Sequence, residues 1–226
     1  MGAFYLIGIV FAVVGWLVQS RLKSKFQHYS KITLLNNMSG KEVAEKMLQD
    51  HGIYDVKIIS VDGQLSDHYN PVNKTVNLSR DVYHGRSAAA AAVAAHECGH
   101  AVQHQVAYPM LGFRSAMVPI VNLAGTVFMW ILMAGIFLMS RFPGLLLIAI
   151  IAQAAITLFA LITLPVEFDA SKRALQWLTS SGTLAMKEQE AAKDALWWAA
   201  MTYVVTALAA ITQLVYLISR YSGRRN

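Results

Sequence analysis

The 226-residue chain is 56% apolar and only 14% charged, which excludes an ordinary water-facing surface and points to a membrane protein. Its net charge of +6 does not call for nucleic acid: much of it flanks apolar stretches, where anionic lipid headgroups are the nearer counter-charge. There is no interleaved aromatic and basic patch and no phosphate-cradling glycine loop. A single cysteine, Cys98, excludes an intramolecular disulfide and fits a reducing compartment.

About 20 apolar residues of helix cross a hydrocarbon core, and four stretches qualify. The first runs from Ala3 to about Gln19. It has no basic region before it and no A-x-A-like cleavage site after it, so it reads as a retained anchor rather than a signal peptide. Arg21, Lys23 and Lys25 follow it, a flank expected in the cytoplasm. The polar segment 20–116 is then a soluble head. Within it, Ser39-Gly40-Lys41-Glu42 forms a capping box ahead of Val43, Met47 and Leu48, with Gly52 as a stop, so a helix is expected from about Gly40 to His51. Tyr54 to Val61, Leu65 to Tyr69 and Thr75 to Leu78 read as short strands. The last two flank the turn formers Asn70-Pro71-Val72-Asn73 and are expected to pair as a hairpin.

From Ser87 an alanine run leads into His96, and alanine's helix propensity predicts a helix from about Ala88 to Gln105. The second and third spans are expected at about Met117 to Met139 and Leu145 to Leu164, within 117–164. Segment 165–195 is polar, helix-prone and broken near Ser180-Ser181-Gly182. The fourth span, about Leu196 to Ile218, and a basic tail complete 196–226. The fold class expected is a mainly α membrane protein: four transmembrane helices with a small α+β zincin-like head containing a short hairpin or small sheet.

His96-Glu97-Cys98-Gly99-His100 is H-E-x-x-H. On a helix, residues four apart share a face, so both imidazoles can reach one zinc ion. Glu97, about 100° round the helix from His96, falls beside the metal as a general base rather than among its ligands. A catalytic zinc takes a third protein ligand, and three residues are candidates. His104 lies about 12 Å along the helix from His96, too far to share an ion. Cys98 is turned about 200° away and is expected to pack as a small apolar group. Glu167, just past the third span, is the best-placed remaining carboxylate.

Ser66-Asp67-His68-Tyr69-Asn70-Pro71, Val76-Asn77-Leu78-Ser79, the stretch Ala94 to His104 and the stretch Leu164 to Ser171 together resemble the YugP-like neutral zinc metallopeptidases of bacterial membranes, over essentially the whole chain. That family is distantly similar to the HtpX-like membrane proteases, gluzincins whose third ligand is a downstream glutamate. The resemblance implies one zinc held by His96, His100 and Glu167, with Glu97 as base. In those relatives an aspartate four residues after the glutamate buttresses a metal histidine; here that position is Ser171, with Asp169 two residues on. The strand with Asp67, His68 and Tyr69 is a candidate edge for an extended peptide, and His68 or Arg173 is a candidate oxyanion donor.

His96 and Glu167 must share one membrane side, which leaves Arg141, Arg220, Arg224 and Arg225 opposite and all other Lys and Arg on the catalytic side. The positive-inside rule makes that side cytoplasmic, in a bacterial cell membrane. The expected activity is hydrolysis of peptide bonds in membrane-associated or membrane-protein substrates. Rival readings are an intramembrane zinc protease, a non-catalytic zinc-containing scaffold or chaperone, and a zinc hydrolase of lipid amides or esters.

Overall fold

The structure, a computed structural model, describes residues 2–138, 142 and 144–223. Arg141, Arg224, Arg225 and the expected end of the second span at Met139 lie outside the described residues. The elements are α1 (Gly2–Tyr29), α2 (Gly40–Asp50), β1 (Lys57–Val61), β2 (His68–Asn70), β3 (Thr75–Ser79), α3 (Arg80–Tyr83), α4 (Ala88–Gln105), α5 (Pro109–Leu138), α6 (Gly144–Ser180) and α7 (Met186–Ser222). Among the described residues, four helices are long and apolar enough to cross a membrane: Gly2–Tyr29, Pro109–Met133, Gly144–Ser180 and Met186–Ser222. The protein is a mainly α membrane protein with a small α+β part.

Among the described residues, one compact unit comprises 2–18, 112–138, 144–165 and 202–223, the apolar parts of these four helices. Its core includes Phe4, whose ring lies 6.1 Å from Phe128 and 5.9 Å from Tyr216. Gln153, 1% exposed, donates to the Ala210 carbonyl at 3.2 Å. Thr157 donates to the same oxygen, also at 3.2 Å. A polar group in an apolar layer must find partners inside the protein, and here two helices supply them to each other.

The second unit, residues 19–111 and 166–201, contains α2, α3, α4, the sheet, and the polar ends of α1, α6 and α7. α2 begins as expected: Ser39 Oγ accepts from the Glu42 N–H, and Glu42 Oε2 accepts the Ser39 N–H at 2.7 Å. Its apolar stripe of Val43, Ala44, Met47 and Leu48 is buried, and α2 packs on α4. The expected hairpin forms between β2 and β3, with Tyr69 opposite Val76. Its turn is held by Asn70 Oδ1, which accepts the N–H of Val72 at 2.9 Å and of Asn73 at 3.2 Å. β1 pairs parallel to β3, giving the order β1-β3-β2. Neither that pairing nor the short α3 was expected from the sequence.

α4 fills the bounds expected of it. Ala88 to Ala92, Ala94 and Ala95 are each at most 1% exposed, because side chains of one carbon let α2, α3, β2 and β3 close around this helix. The composition boundaries at 19/20, 116/117, 164/165 and 195/196 all fall inside continuous helices. They mark changes of polarity along one rod, since hydropathy reports the surrounding medium and not where a backbone stops. Pro165 sits inside α6. It has no N–H to return to the carbonyl four residues back, yet its neighbours remain helical. The expected break near Ser180-Ser181-Gly182 is real: α6 ends at Ser180 and Gly182 takes φ +66°, a left-handed turn that glycine adopts without steric cost.

Replacing Ser39 with alanine removes the cap of α2. We expect a loss of about 1 kcal/mol, read as a lower melting temperature of the purified protein in detergent.

Candidate metal centre

Four-residue spacing on α4 sets His96 and His100 side by side, with ring centroids 4.8 Å apart. α6 delivers Glu167 between them: its Oε2 lies 3.3 Å from His96 Nε2 and 3.5 Å from His100 Nε2. Across the trio, one candidate ligand atom per residue falls within 4.8 Å of the others. Two donors bound tetrahedrally to zinc at about 2.0–2.1 Å stand about 3.3–3.4 Å from each other. The histidine-to-carboxylate separations match that edge, so these side chains could hold one such ion. The Glu167 side chain is 4% exposed, a burial that a carboxylate sustains only beside cationic partners or a metal.

The approach of α6 to α4 depends on Gly99, which the sequence reading passed over. A Cβ there would stand 2.6 Å from the Ala170 carbonyl oxygen and 3.2 Å from the Ala170 Cα. These are backbone atoms and cannot swing aside. A glycine inside an alanine-rich helix weakens it by about 1 kcal/mol and so needs a packing reason, which was the available clue.

The outer nitrogens of both rings are engaged. Ser171 Oγ lies 3.1 Å from His96 Nδ1, and Gln103 Oε1 lies 3.0 Å from His100 Nδ1. Gln103, fully buried, donates its amide N–H groups to the Val166 carbonyl and to Asp169 Oδ2, both at 2.8 Å. Because the amide nitrogen is committed to two acceptors, its oxygen faces the ring. That arrangement requires N–H at Nδ1 of His100, so that when the ring is neutral Nε2 carries the lone pair a metal would use. Asp169 accepts from Arg173 Nε at 2.6 Å, and the Arg173 guanidinium lies 5.9 Å from the Tyr108 ring centre. Asp169 therefore reaches His100 through Gln103, which the sequence reading did not pick out, while Ser171 faces His96 directly.

Glu97 is buried at 8% exposure, and among the described residues its carboxylate makes no hydrogen bond or ion pair. Asp67 accepts from the Ser79 N–H at 2.7 Å. Burial pushes its pKa up against the pull of the Ser79 bonds, and the nearby Glu97 carboxylate adds to the rise. Cys98 packs as expected, fully buried with Sγ 3.7 Å from the Ala44 carbonyl. His104 stands outside the trio and meets the Tyr69 hydroxyl at 2.8 Å. Of the candidate oxyanion donors, Arg173 is committed to Asp169, and exposed His68 turns Nδ1 to the Ser66 carbonyl at 2.8 Å.

Residues 4–222 match the family described as "Putative neutral zinc metallopeptidase". The chain belongs to that family. A relative, "Putative membrane protease YugP" of Bacillus subtilis (strain 168), is 40% identical over 208 residues, 92% of this chain and 92% of the relative. No solved structure matches the chain.

For a neutral zinc metallopeptidase the protonation of these rings matters, because a histidine must be neutral to bind metal. Burial alone would lower the His100 pKa. The Glu167 carboxylate, with Glu97 and Gln103 behind it, reverses that and leaves it above the ordinary value, about 6.5. In the metal-free protein this pairing stabilises the fold fully below about pH 6.5 and is lost as pH rises through the raised value. Over that same window a zinc ion held by these side chains would have less proton competition to overcome. We expect apparent zinc affinity, measured by chelator competition, to climb as pH rises from about 6 to 8. Gly99→Ala forces α6 away from α4, and zinc content by elemental analysis should fall at least tenfold while helix content by circular dichroism persists.

Proposed function

We propose that this protein is a zinc-dependent membrane peptidase that holds its metal through His96, His100 and Glu167 and uses Glu97 as general base. The observation that carries this reading is the pair of histidine-to-carboxylate separations of 3.3 and 3.5 Å in a trio whose outer ring nitrogens are already engaged. Zinc bound there supplies Lewis acidity, polarising a substrate carbonyl and making water a stronger acid. Glu97 accepts a proton from the attacking water at a carboxylate oxygen and returns it to the nitrogen of the leaving amine. Its lack of internal hydrogen bonds suits that task, since an engaged carboxylate would have to give up a partner first. Ser171 and Gln103 hold the imidazoles in position.

Among the described residues β2 is an edge strand, paired only with β3. An extended substrate pairs with its free edge through backbone hydrogen bonds, which tolerate many side-chain sequences. Tyr69 on β2, bonded to His104 on α4, ties that edge to the helix bearing the histidines. Glu167 stands three residues past Leu164, the end of an apolar run, about 4.5 Å along the helix. This supports work at headgroup level on membrane-associated or membrane-protein segments, and the distribution of Lys and Arg supports the cytoplasmic side of a bacterial membrane. The intramembrane reading is disfavoured because α4 is wrapped by head elements and is not among the four candidate spans. A scaffold would have no use for Glu97.

Glu97→Gln should keep zinc at one equivalent and lower turnover of a peptide substrate by about 10²–10⁴-fold, whereas Glu167→Ala should lose the metal. Unchanged turnover in purified, zinc-loaded Glu97→Gln protein would sink the mechanism.

A further inference from the structure

Between the polar end of α6 and the start of α7 lies a cavity of about 490 Å³, within the size range of ligand sites. Its polarity is graded along the two antiparallel helices. Phe168, Leu196, Trp197 and Ala200 line it where α6 and α7 run on into apolar sequence. Lys172, Lys193 and Glu190 line it toward the polar turns, together with Gln176 and the apolar Leu175. From Phe168 to Gln176, the two limits of the α6 wall, is about 12 Å.

The charges at the polar end are not all alike. Asp194 is taken by Lys25 at 2.8 Å and by the Tyr29 hydroxyl at 2.7 Å. Lys172, Lys193 and Glu190 make no ion pair or hydrogen bond among the described residues. The unpaired remainder is two ammonium groups and one carboxylate, a net single positive charge above an apolar slot. A phospholipid complements this arrangement: a monoanionic phosphate meets two lysines, headgroup donors meet the carboxylate, and the first acyl methylenes fill the slot. Basic recesses beside membrane helices bind anionic headgroups on these terms, and tryptophan favours the same depth.

A peptide undergoing hydrolysis fits this place less well. The wall shared with the metal centre is Ser171, which lies at Nδ1 of His96, whereas Nε2 is the nitrogen facing Glu167. The cavity therefore adjoins the outer side of the imidazole. We infer that it is a phospholipid seat, with the phosphate between Lys172 and Lys193 and an acyl chain against Trp197.

The test is native mass spectrometry of the full-length protein, exchanged in mild detergent against phosphatidylglycerol. One lipid should remain per wild-type chain. Lys172→Gln with Lys193→Gln should reduce retention at least tenfold, and Lys172→Arg with Lys193→Arg should restore it. Trp197→Glu, at a side chain 56% exposed, should abolish retention by placing a carboxylate where the acyl chain runs. Diacylglycerol with the same chains should not be retained, and zinc content should match wild type throughout. The inference is overturned if the double glutamine variant retains lipid like wild type, if diacylglycerol is held equally, or if inorganic phosphate or an unfolded apolar peptide displaces the lipid mole for mole.

Discussion

The candidate metal centre depends on how closely two helix backbones can approach. Helices usually pack 8–10 Å apart, at a distance set by the side chains between them. At Gly99 and Ala170 that spacer is reduced to a hydrogen on one side and a methyl on the other, and the carbonyl of Ala170 fills the space a Cβ would need. His96 and Glu167 are 71 residues apart in sequence, so no local rule brings them together. The contact does so, and it also seats Gln103 against the Val166 carbonyl. The alanines before His96 extend the same logic upstream, where small side chains let the rest of the head close on α4.

Around that contact each buried polar group is matched to another. Glu167 faces two imidazoles, each imidazole is held from behind, and Gln103 passes the influence of Asp169 to a ring that Asp169 does not touch. A buried charge left alone costs several kcal/mol, so such a chain of partners holds the candidate ligands in place without an ion. Glu97 is the exception. Its freedom from partners among the described residues, beside a fully engaged trio, is what the proposed role of a base requires.

What could be read from the sequence was what is local. The capping box at Ser39, the alanine helix, the four-residue histidine spacing and the β2–β3 hairpin all involve residues a few positions apart, and each took the form expected. Glu167 was within reach only as a leftover carboxylate strengthened by resemblance, because its neighbours in space come from another helix. The parallel pairing of β1 with β3, the role of Gly99 and the relay through Gln103 are tertiary facts with faint local signatures. Hydropathy marked four apolar runs correctly as to number, yet it set boundaries inside α1, α5, α6 and α7, where the backbone continues unchanged.

Cys98 sits between the two histidines in sequence but points the other way, sealed against Ala44, and burial raises its pKa well beyond the ordinary thiol range. Alkylating and oxidising reagents attack the thiolate, and this sulfur offers neither that anion nor a path to it. The natural chain is therefore expected to behave toward maleimides as though it were cysteine-free. A reporter thiol placed on β2 or at the lip of the α6–α7 cavity should then be addressable without first stripping a native one from α4.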